Sequence, residues 1–198
     1  MIDAQARKAT GNDTHTLIIA GFGGQGVLLI GNLLAYAAMH EGKAVSFLPI
    51  YGVEMRGGTA DCTVVTSSQA IGSPIVDRAQ AVIVMNLASL PKYEKKVEVQ
   101  GLLMINSSLI EPREVSRPDI EILSVPCNDI AKQAGNPKLA NMVALGAFLE
   151  RTKWFHKPSI LQSFEKVLDK RYHPLIASNM KALEKGAEFI QSLSKNKR

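Results

Sequence analysis

The chain has 198 residues, of which 46% are hydrophobic, so it can bury a sizeable core, and its length favours one domain. A formal net charge of +5 would suit nucleic acid, but much of the excess is terminal, and no basic stripe with interleaved aromatic residues appears. We therefore expect no nucleic-acid partner.

The two cysteines, Cys62 and Cys127, are far apart and belong to no C-x-x-C pair. The chain alone is therefore expected to bind neither zinc nor an iron–sulfur cluster, and buried free thiols fit a reducing compartment. Residues 1–16 lack the apolar region of a signal peptide, and no apolar run reaches the roughly 18 residues of a membrane-spanning helix. These features predict a cytoplasmic protein with no membrane partner.

Both termini are polar and unpatterned. Residues 1–15 are predicted to form a disordered leader, and residues 195–198 a basic tail. Residues 16–194 are predicted to form a single α/β domain.

The first element is organised around a glycine-rich stretch. A short aliphatic run at 17–20 predicts a buried strand, and the apolar segment 27–40 predicts a helix that ends near Gly42. Glycines in G-x-G-x-x-G spacing would direct backbone amides into one cradle above the helix dipole. The sequence predicts that this cradle binds a phosphate or carboxylate; the alternative is that the glycines only allow close strand-to-helix packing. The predicted binding residues are Gly21, Gly23, Gly24, Gln25 and Gly26.

A second strand is predicted over residues 44–48 and a third over 59–66. The link between them is shorter than the dozen or so residues that a parallel crossover needs, and it has no helical period. We therefore expect the third strand to be antiparallel to the second or to lie at the sheet edge. Either arrangement returns the link to the carboxyl edge that carries the glycine turn, where open α/β sheets bind their ligands.

Further apolar runs alternate with helical stretches. Strands are predicted over 81–85, 102–105 and 120–125, with a helix over 87–97 that Pro91 breaks early, and the chain is helical from residue 128. This alternation predicts an α/β fold with a Rossmann-like, mostly parallel sheet, flanking helices and a helical C-terminal part.

No self-sufficient active site is visible. A dinucleotide fold usually places an acid at the end of its second strand, and the stretch from Ser46 to Pro49 offers none. None of the four histidines has an acid or hydroxyl at motif spacing, and nothing near Cys62 would lower its pKa. The sequence predicts no catalytic residue and no metal site, and it leaves open a free-standing nucleotide-binding protein or dehydrogenase.

The link after the second strand carries two charges, Glu54 and Arg56, between Tyr51 and the pair Gly57-Gly58. One interpretation is a surface turn with an exposed ion pair, worth under about 1 kcal/mol. The other is that Arg56 binds a carboxylate or phosphate bidentately at an interface. The five residues are predicted to form an interface or substrate-entry loop.

Three segments together resemble a known family. They are G-F-G-G-Q-G-V at 21–27, Y-G-V-E-M-R-G-G-T-A at 51–60 and I-G-S-P at 71–74. The first two occur in this order and at about this separation in the gamma subunits of 2-oxoacid:ferredoxin oxidoreductases, and the similarity covers roughly residues 17–190. Met55 makes the chain most similar to the 2-oxoglutarate or general 2-oxoacid branch.

The resemblance implies a heteromeric complex that oxidatively decarboxylates a 2-oxoacid with coenzyme A, giving an acyl-CoA, carbon dioxide and reduced ferredoxin. It implies that alpha and beta subunits hold thiamine diphosphate and magnesium, and that 4Fe-4S clusters lie in the beta or a ferredoxin-like delta subunit. This chain would then be a noncatalytic but required subunit that binds none of these cofactors alone. Its carboxyl-edge loops would lie against the thiamine-bearing subunits, near the entry of coenzyme A or substrate.

Overall fold

The computed structural model describes residues 14–51, with Tyr51 as backbone only, and residues 58–195. Within these ranges six strands form one sheet in the spatial order β2-β3-β1-β4-β5-β6. The strands are β1 His15–Phe22, β2 Ala44–Tyr51, β3 Thr59–Ser67, β4 Ala79–Val84, β5 Val97–Asn106 and β6 Glu121–Val125.

The sheet is mostly parallel. Strand β1 runs parallel to β4, β4 to β5 and β5 to β6, whereas β3 is antiparallel to both β1 and β2. The link before β3 is short and reverses the direction of the chain, so β3 is antiparallel to β2 as its length predicted. The predicted Rossmann-like α/β fold with a helical C-terminal part is confirmed.

Six α-helices flank the sheet in the described residues. They are α1 Val27–His40, α2 Leu90–Tyr93, α3 Cys127–Gln133, α4 Ala140–Thr152, α5 Lys157–Val167 and α6 Ile176–Lys195. Helix α1 has the predicted bounds, and Gly42 ends it with φ of 71°, while the amide of Lys43 donates to the carbonyl of Ala38 at 2.9 Å. This is the hydrogen bonding of a Schellman motif, which needs a residue that tolerates positive φ.

The sheet separates two apolar cores. Leu17 and Ile19 face the larger core, which includes residues of α1, α3, α4, α5 and α6. Ile18 and Ala20 face the smaller core, which includes Leu90 of α2. Because both faces are covered, β1 is a continuous apolar run instead of an alternating one.

Several element bounds differ from the prediction. β1 begins at His15, inside the predicted leader, because its pairing with β3 extends to Thr66, and the His15 ring stacks on Trp154 at 4.4 Å. The predicted helix over 87–97 is three successive short turns, and β5 begins at Val97 because that residue already pairs with Ala79. Helix α6 includes Lys195, where the tail was expected to begin.

Residues 1–13 and 196–198 lie outside the described residues. None of the helices that are described combines the length and the apolarity needed to cross a bilayer.

Candidate functional site at the carboxyl edge of the sheet

The glycine-rich stretch connects β1 to α1. Gly21 and Phe22 close the strand, Gly24 has φ of +100°, and Gly26 caps the helix with φ of +71° and no side-chain capping bond. A Cβ on Gly24 would meet nothing within 4 Å, so glycine serves only the backbone conformation there. A Cβ on Gly26 would overlap the side-chain amide of Asn141 in α4.

The side chain of Gln25 fills the space beneath this turn. Its Oε1 accepts a hydrogen bond from the Phe22 amide at 3.0 Å, and its Nε2 donates to the Met85 carbonyl at 3.1 Å. A Cβ on Gly21 would lie 2.6 Å from that Oε1. Gln25 therefore joins the ends of β1 and β4 across the crevice where α1 and α2 leave for opposite faces of the sheet, which is the ligand position of doubly wound folds.

Three backbone amides of the turn have acceptors within the protein. The Phe22 amide bonds to Gln25 Oε1, the Gln25 amide to the Phe22 carbonyl at 3.1 Å, and the Gly23 amide to the Gly58 carbonyl at 3.0 Å. Close packing thus accounts for Gly21 and Gly26. Binding of a phosphate or carboxylate by residues 21–26 stays a prediction.

The second predicted loop meets the first at Gly58. Besides the Gly23–Gly58 hydrogen bond, Phe22 pairs with Thr59 along the β1–β3 ladder, and the backbone of Tyr51 ends β2 opposite Ala60. Glu54, Arg56 and Gly57 lie outside the described residues. The structure therefore brings the end of this loop to the glycine turn.

Asn106 continues the network of amide groups beyond Gln25. Its Nδ2 donates to the Met85 carbonyl at 3.3 Å and to Asn128 Oδ1 at 2.7 Å, and its Oδ1 accepts from the Cys127 amide at 3.1 Å. Sequence reasoning assigned Asn106 no role, although an asparagine directly after an apolar strand is the signal that could have found it. The carboxyl ends of β1, β4 and β5 are thereby tied to the start of α3.

An apolar rim lies along the same edge of the sheet. Four large side chains close to the carboxyl ends of β1, β2, β4 and β5 are each between 37% and 47% exposed: Phe22, Ile50, Leu87 and Leu109. Scattered exposed apolar residues are normal, but several along one edge of a sheet are typical of a surface that binds a partner.

The ionisable groups near the site have structural and not catalytic roles. Burial raises the pKa of the Cys62 thiol to about 12 and also raises the pKa of Cys127, so neither is an activated nucleophile. Tyr93 donates a hydrogen bond to the buried carboxylate of Asp61, and burial together with this bond raises the pKa of Tyr93. In the part of the chain that the structure describes, no three His, Cys, Asp or Glu side chains are grouped to hold a metal ion.

Replacing Gln25 with alanine should lower the free energy of unfolding by about 1–2 kcal/mol, because two hydrogen bonds are lost at the β1–β4 crevice. Gln25→Glu should cost at least as much, since a carboxylate oxygen would then face the Met85 carbonyl. Urea unfolding followed by circular dichroism measures both. Gln162→Ala, on the exposed side of α5, is the matched control and should stay within about 0.5 kcal/mol; equal values for Gln25→Ala and this control would contradict the bridging role.

The family pattern and the related proteins that this chain resembles all point to one family. The sequence pattern of the family described as pyruvate ferredoxin/flavodoxin oxidoreductase matches residues 16–189. Subunit KorC of 2-oxoglutarate synthase from Archaeoglobus fulgidus is 31% identical over 180 residues, which cover 90% of this chain and 89% of KorC. Subunit VorA of ketoisovalerate oxidoreductase from Methanothermobacter thermautotrophicus is 35% identical over 173 residues, covering 87% of this chain but 36% of VorA. This chain thus spans about a third of the length of that relative.

Solved structures share the fold. The gamma subunit of a keto/oxoacid ferredoxin oxidoreductase from Geobacter sulfurreducens superposes with a TM-score of 0.75 at 24% identity, over 90% of this chain and 99% of that one. A 2-oxoglutarate:ferredoxin oxidoreductase from Magnetococcus marinus superposes with a TM-score of 0.82 at 22% identity, over 90% of this chain and 31% of that one. The resemblance seen in the glycine turn and the Tyr51–Gly58 loop is confirmed, and the chain belongs to the pyruvate ferredoxin/flavodoxin oxidoreductase family.

Proposed function

We propose that this chain is the gamma subunit of a heteromeric 2-oxoacid:ferredoxin oxidoreductase. The complex would convert a 2-oxoacid and coenzyme A to an acyl-CoA and carbon dioxide while it reduces ferredoxin. The observation that carries the proposal is the hydrogen bond between Gly23 and Gly58, which joins the two family motifs at the sheet edge that also carries the apolar rim. Two family motifs that meet beside an exposed apolar rim suit a docking surface for other subunits.

2-Oxoglutarate is the substrate that the relatives favour. The KorC relative, a 2-oxoglutarate synthase subunit, is covered over nearly its whole length, whereas VorA is covered over about a third. The structure from Magnetococcus marinus contains 2-oxoglutarate, coenzyme A and succinyl-CoA. Met55 agrees with the same branch of the family.

The redox chemistry would be supplied by partner subunits. In the described residues the two thiols are fully buried and have raised pKa values, which does not suit ligands of an iron–sulfur cluster, and no three His, Cys, Asp or Glu side chains are grouped to hold a metal ion. Thiamine diphosphate, magnesium and 4Fe-4S clusters are therefore assigned to alpha, beta and, where present, delta subunits of a cytoplasmic complex. This chain would contribute the rim and, through Glu54 and Arg56, the anchors beside the entry of coenzyme A.

A free-standing dinucleotide-binding protein receives no support from the site. Gln25 occupies the crevice where a pyrophosphate would lie, and the stretch from Ser46 to Pro49 in β2 offers no carboxylate for a ribose. Calorimetric titration of the chain with NAD, FAD and coenzyme A distinguishes the two functions, and tight binding of NAD or FAD would favour the alternative.

Reconstitution tests the proposal. Co-expression with the thiamine-binding and ferredoxin-like subunits should yield one complex that reduces ferredoxin in the presence of 2-oxoglutarate and coenzyme A, and omission of this chain should abolish that activity. Arg56→Ala should weaken assembly or turnover about tenfold or more, as loss of a bidentate anchor would. Arg113→Ala, which removes an exposed arginine paired with Glu111, should have no such effect. Full turnover without this chain would refute the proposal.

A further inference from the structure

A cavity of about 340 Å³ lies between α4 and α6, beside the loop that joins α4 to α5. Its walls are mostly apolar and include Leu149, Phe155, Leu183 and Ala187. The first three of these side chains are each at most 9% exposed, although they border the cavity. Ala187 contributes only a methyl group, so the space that a longer side chain of α6 would fill stays open.

The cavity is remote from the carboxyl edge of the sheet. Helix α4 begins at that edge, where Asn141 Nδ2 donates to the Gly26 carbonyl at 3.4 Å. Near the other end of α4, Arg151 Nε donates to Glu121 Oε1 at 2.8 Å, and Glu121 is the first residue of β6. The cavity lies beside the second half of α4, towards the amino edge of the sheet, and so is separate from the candidate functional site.

The loop that forms one wall of the cavity is held in place from α1 and β2. Lys43 Nζ donates to the Trp154 carbonyl at 3.2 Å and lies 3.1 Å from Glu41 Oε2. Glu41 Oε1 accepts from the His156 amide at 2.8 Å and lies 3.3 Å from Nδ1 of the same residue. Phe155 is thereby fixed between two anchored neighbours. The wall is formed before any ligand arrives, which reduces the entropy lost on binding.

The charged side chains at the mouth of the cavity are paired. Lys153 Nζ lies 2.5 Å from Glu150 Oε1, and Lys157 Nζ lies 2.6 Å from Glu184 Oε1. Both lysine side chains are more than half exposed, which places the mouth of the cavity beside them. A charged ligand would have to break one of these pairs or remain without a partner of opposite sign. An uncharged ligand would leave them intact.

We infer that this cavity binds a small, uncharged, apolar molecule of about the size of two fused rings. An apolar cavity of about 150 Å³ is known to stay dry and to bind benzene, and this one has about twice that volume. A ligand of this kind would remove apolar surface from water and restore the contacts that the walls lack. The inference does not depend on the proposed function, because it concerns a different part of the chain.

Titration with indole, followed in the NMR spectrum of the full chain, tests the inference. Indole is uncharged and bicyclic, and it should bind with a dissociation constant below about 1 mM and shift the methyl resonances of Leu149 and Leu183. Indole-3-acetate and tryptamine add a negative and a positive charge to the same rings. Each should bind about tenfold more weakly than indole, because its charge would have no free partner at the mouth.

A filled cavity provides the matched comparison. Ala187→Leu should weaken indole binding about tenfold or more, since the added side chain occupies the space of the ligand. Ala177→Leu makes the same substitution at an exposed position of the same helix and should leave the dissociation constant within about twofold of wild type.

Every outcome decides for or against the cavity. Absence of indole binding to wild type, equal binding by Ala187→Leu and wild type, or tighter binding of either charged analogue would overturn the inference. Should Ala187→Leu fail to fold, nuclear Overhauser contacts between indole and the methyl groups of Leu149 and Leu183 in the wild type give the answer, and their absence would overturn it. The proposed function is unaffected by any of these results, because the experiment involves no other subunit.

Discussion

Replacing Gly146 with alanine should lower the free energy of unfolding by about 3 kcal/mol or more, although alanine is the better helix former by about 1 kcal/mol. A Cβ on Gly146 in α4 would overlap the carbonyl oxygen of Leu183, and a Cβ on Gly186 in α6 would overlap the carbonyl oxygen of Val143. The obstacle in each case is backbone, which no rotamer change can move. The two helices would have to separate, and the buried side chains between them would lose their packing. Urea unfolding of the isolated chain measures the effect.

Two further variants make this test specific. Gly72→Ala, in open space with nothing within 4 Å, should stay within about 0.5 kcal/mol of wild type. The double variant Gly146→Ala/Gly186→Ala should cost less than the sum of the single variants, because helices already separated by the first methyl group accommodate the second more easily. A stabilising Gly146→Ala would show that helix propensity outweighs the contact and that α4 and α6 are not closely packed.

The parts of this fold that the sequence predicted are those with local signals. Conformation is indicated by the local sequence in the run 17–20, in the glycines after it and in the segment 27–40. Helix α1 therefore has the predicted bounds. The antiparallel β3 followed from a loop too short for a crossover, which is also a local constraint. The position of Gly58 beside the glycine turn followed from that reversal.

The features that the sequence did not predict depend on partners far along the chain. The Gln25 side chain donates a hydrogen bond to the Met85 carbonyl, sixty residues away in the sequence, and no residue next to Gln25 in the sequence indicates that contact. The first residues of β5 include the polar pair Glu98 and Gln100 and become a strand because Val97 reaches Ala79 across a register shift. Pairing partners of this kind cannot be inferred from a periodicity, since any strand of similar pattern would satisfy it.

Alkaline solution should destabilise the chain strongly, with a loss of about 5 kcal/mol in the free energy of unfolding by about pH 11. Cys62 and Cys127 are fully buried, and burial raises the pKa of Cys62 to about 12 and raises that of Cys127 as well, from a value of 9.0 in the exposed thiol. Above pH 9 the unfolded chain therefore releases protons that the folded chain keeps. The stabilisation is complete below pH 9 and is lost as the pH rises towards the folded pKa, at about 1.4 kcal/mol per thiol and pH unit. The expected loss is comparable with the 5–15 kcal/mol that stabilises an ordinary domain.

Tyr93 should add to this loss at higher pH. Burial, and the hydrogen bond that it donates to Asp61, raise its pKa above the ordinary value of 10.0, so its contribution is present below pH 10 and declines above it. Lys92 Nζ donates to the Tyr93 hydroxyl at 2.8 Å and stands 4.0 Å from Asp61 Oδ1. When the Tyr93 phenol loses its proton at high pH, the buried carboxylate of Asp61 loses its hydrogen-bond donor.

The cysteine double variant separates the thiols from every other group that titrates above neutrality. Cys62→Ala/Cys127→Ala should be less stable than wild type at about pH 7, because two buried sulfur atoms are removed. Between about pH 9 and pH 10, however, its free energy of unfolding should change little, whereas that of the wild type falls by about 2 kcal/mol. Urea midpoints measured across this range give both slopes. Parallel slopes for the two proteins would mean that the folded chain ionises its thiols as readily as the unfolded one, and hence that the larger core, in which both thiols lie, is open to water.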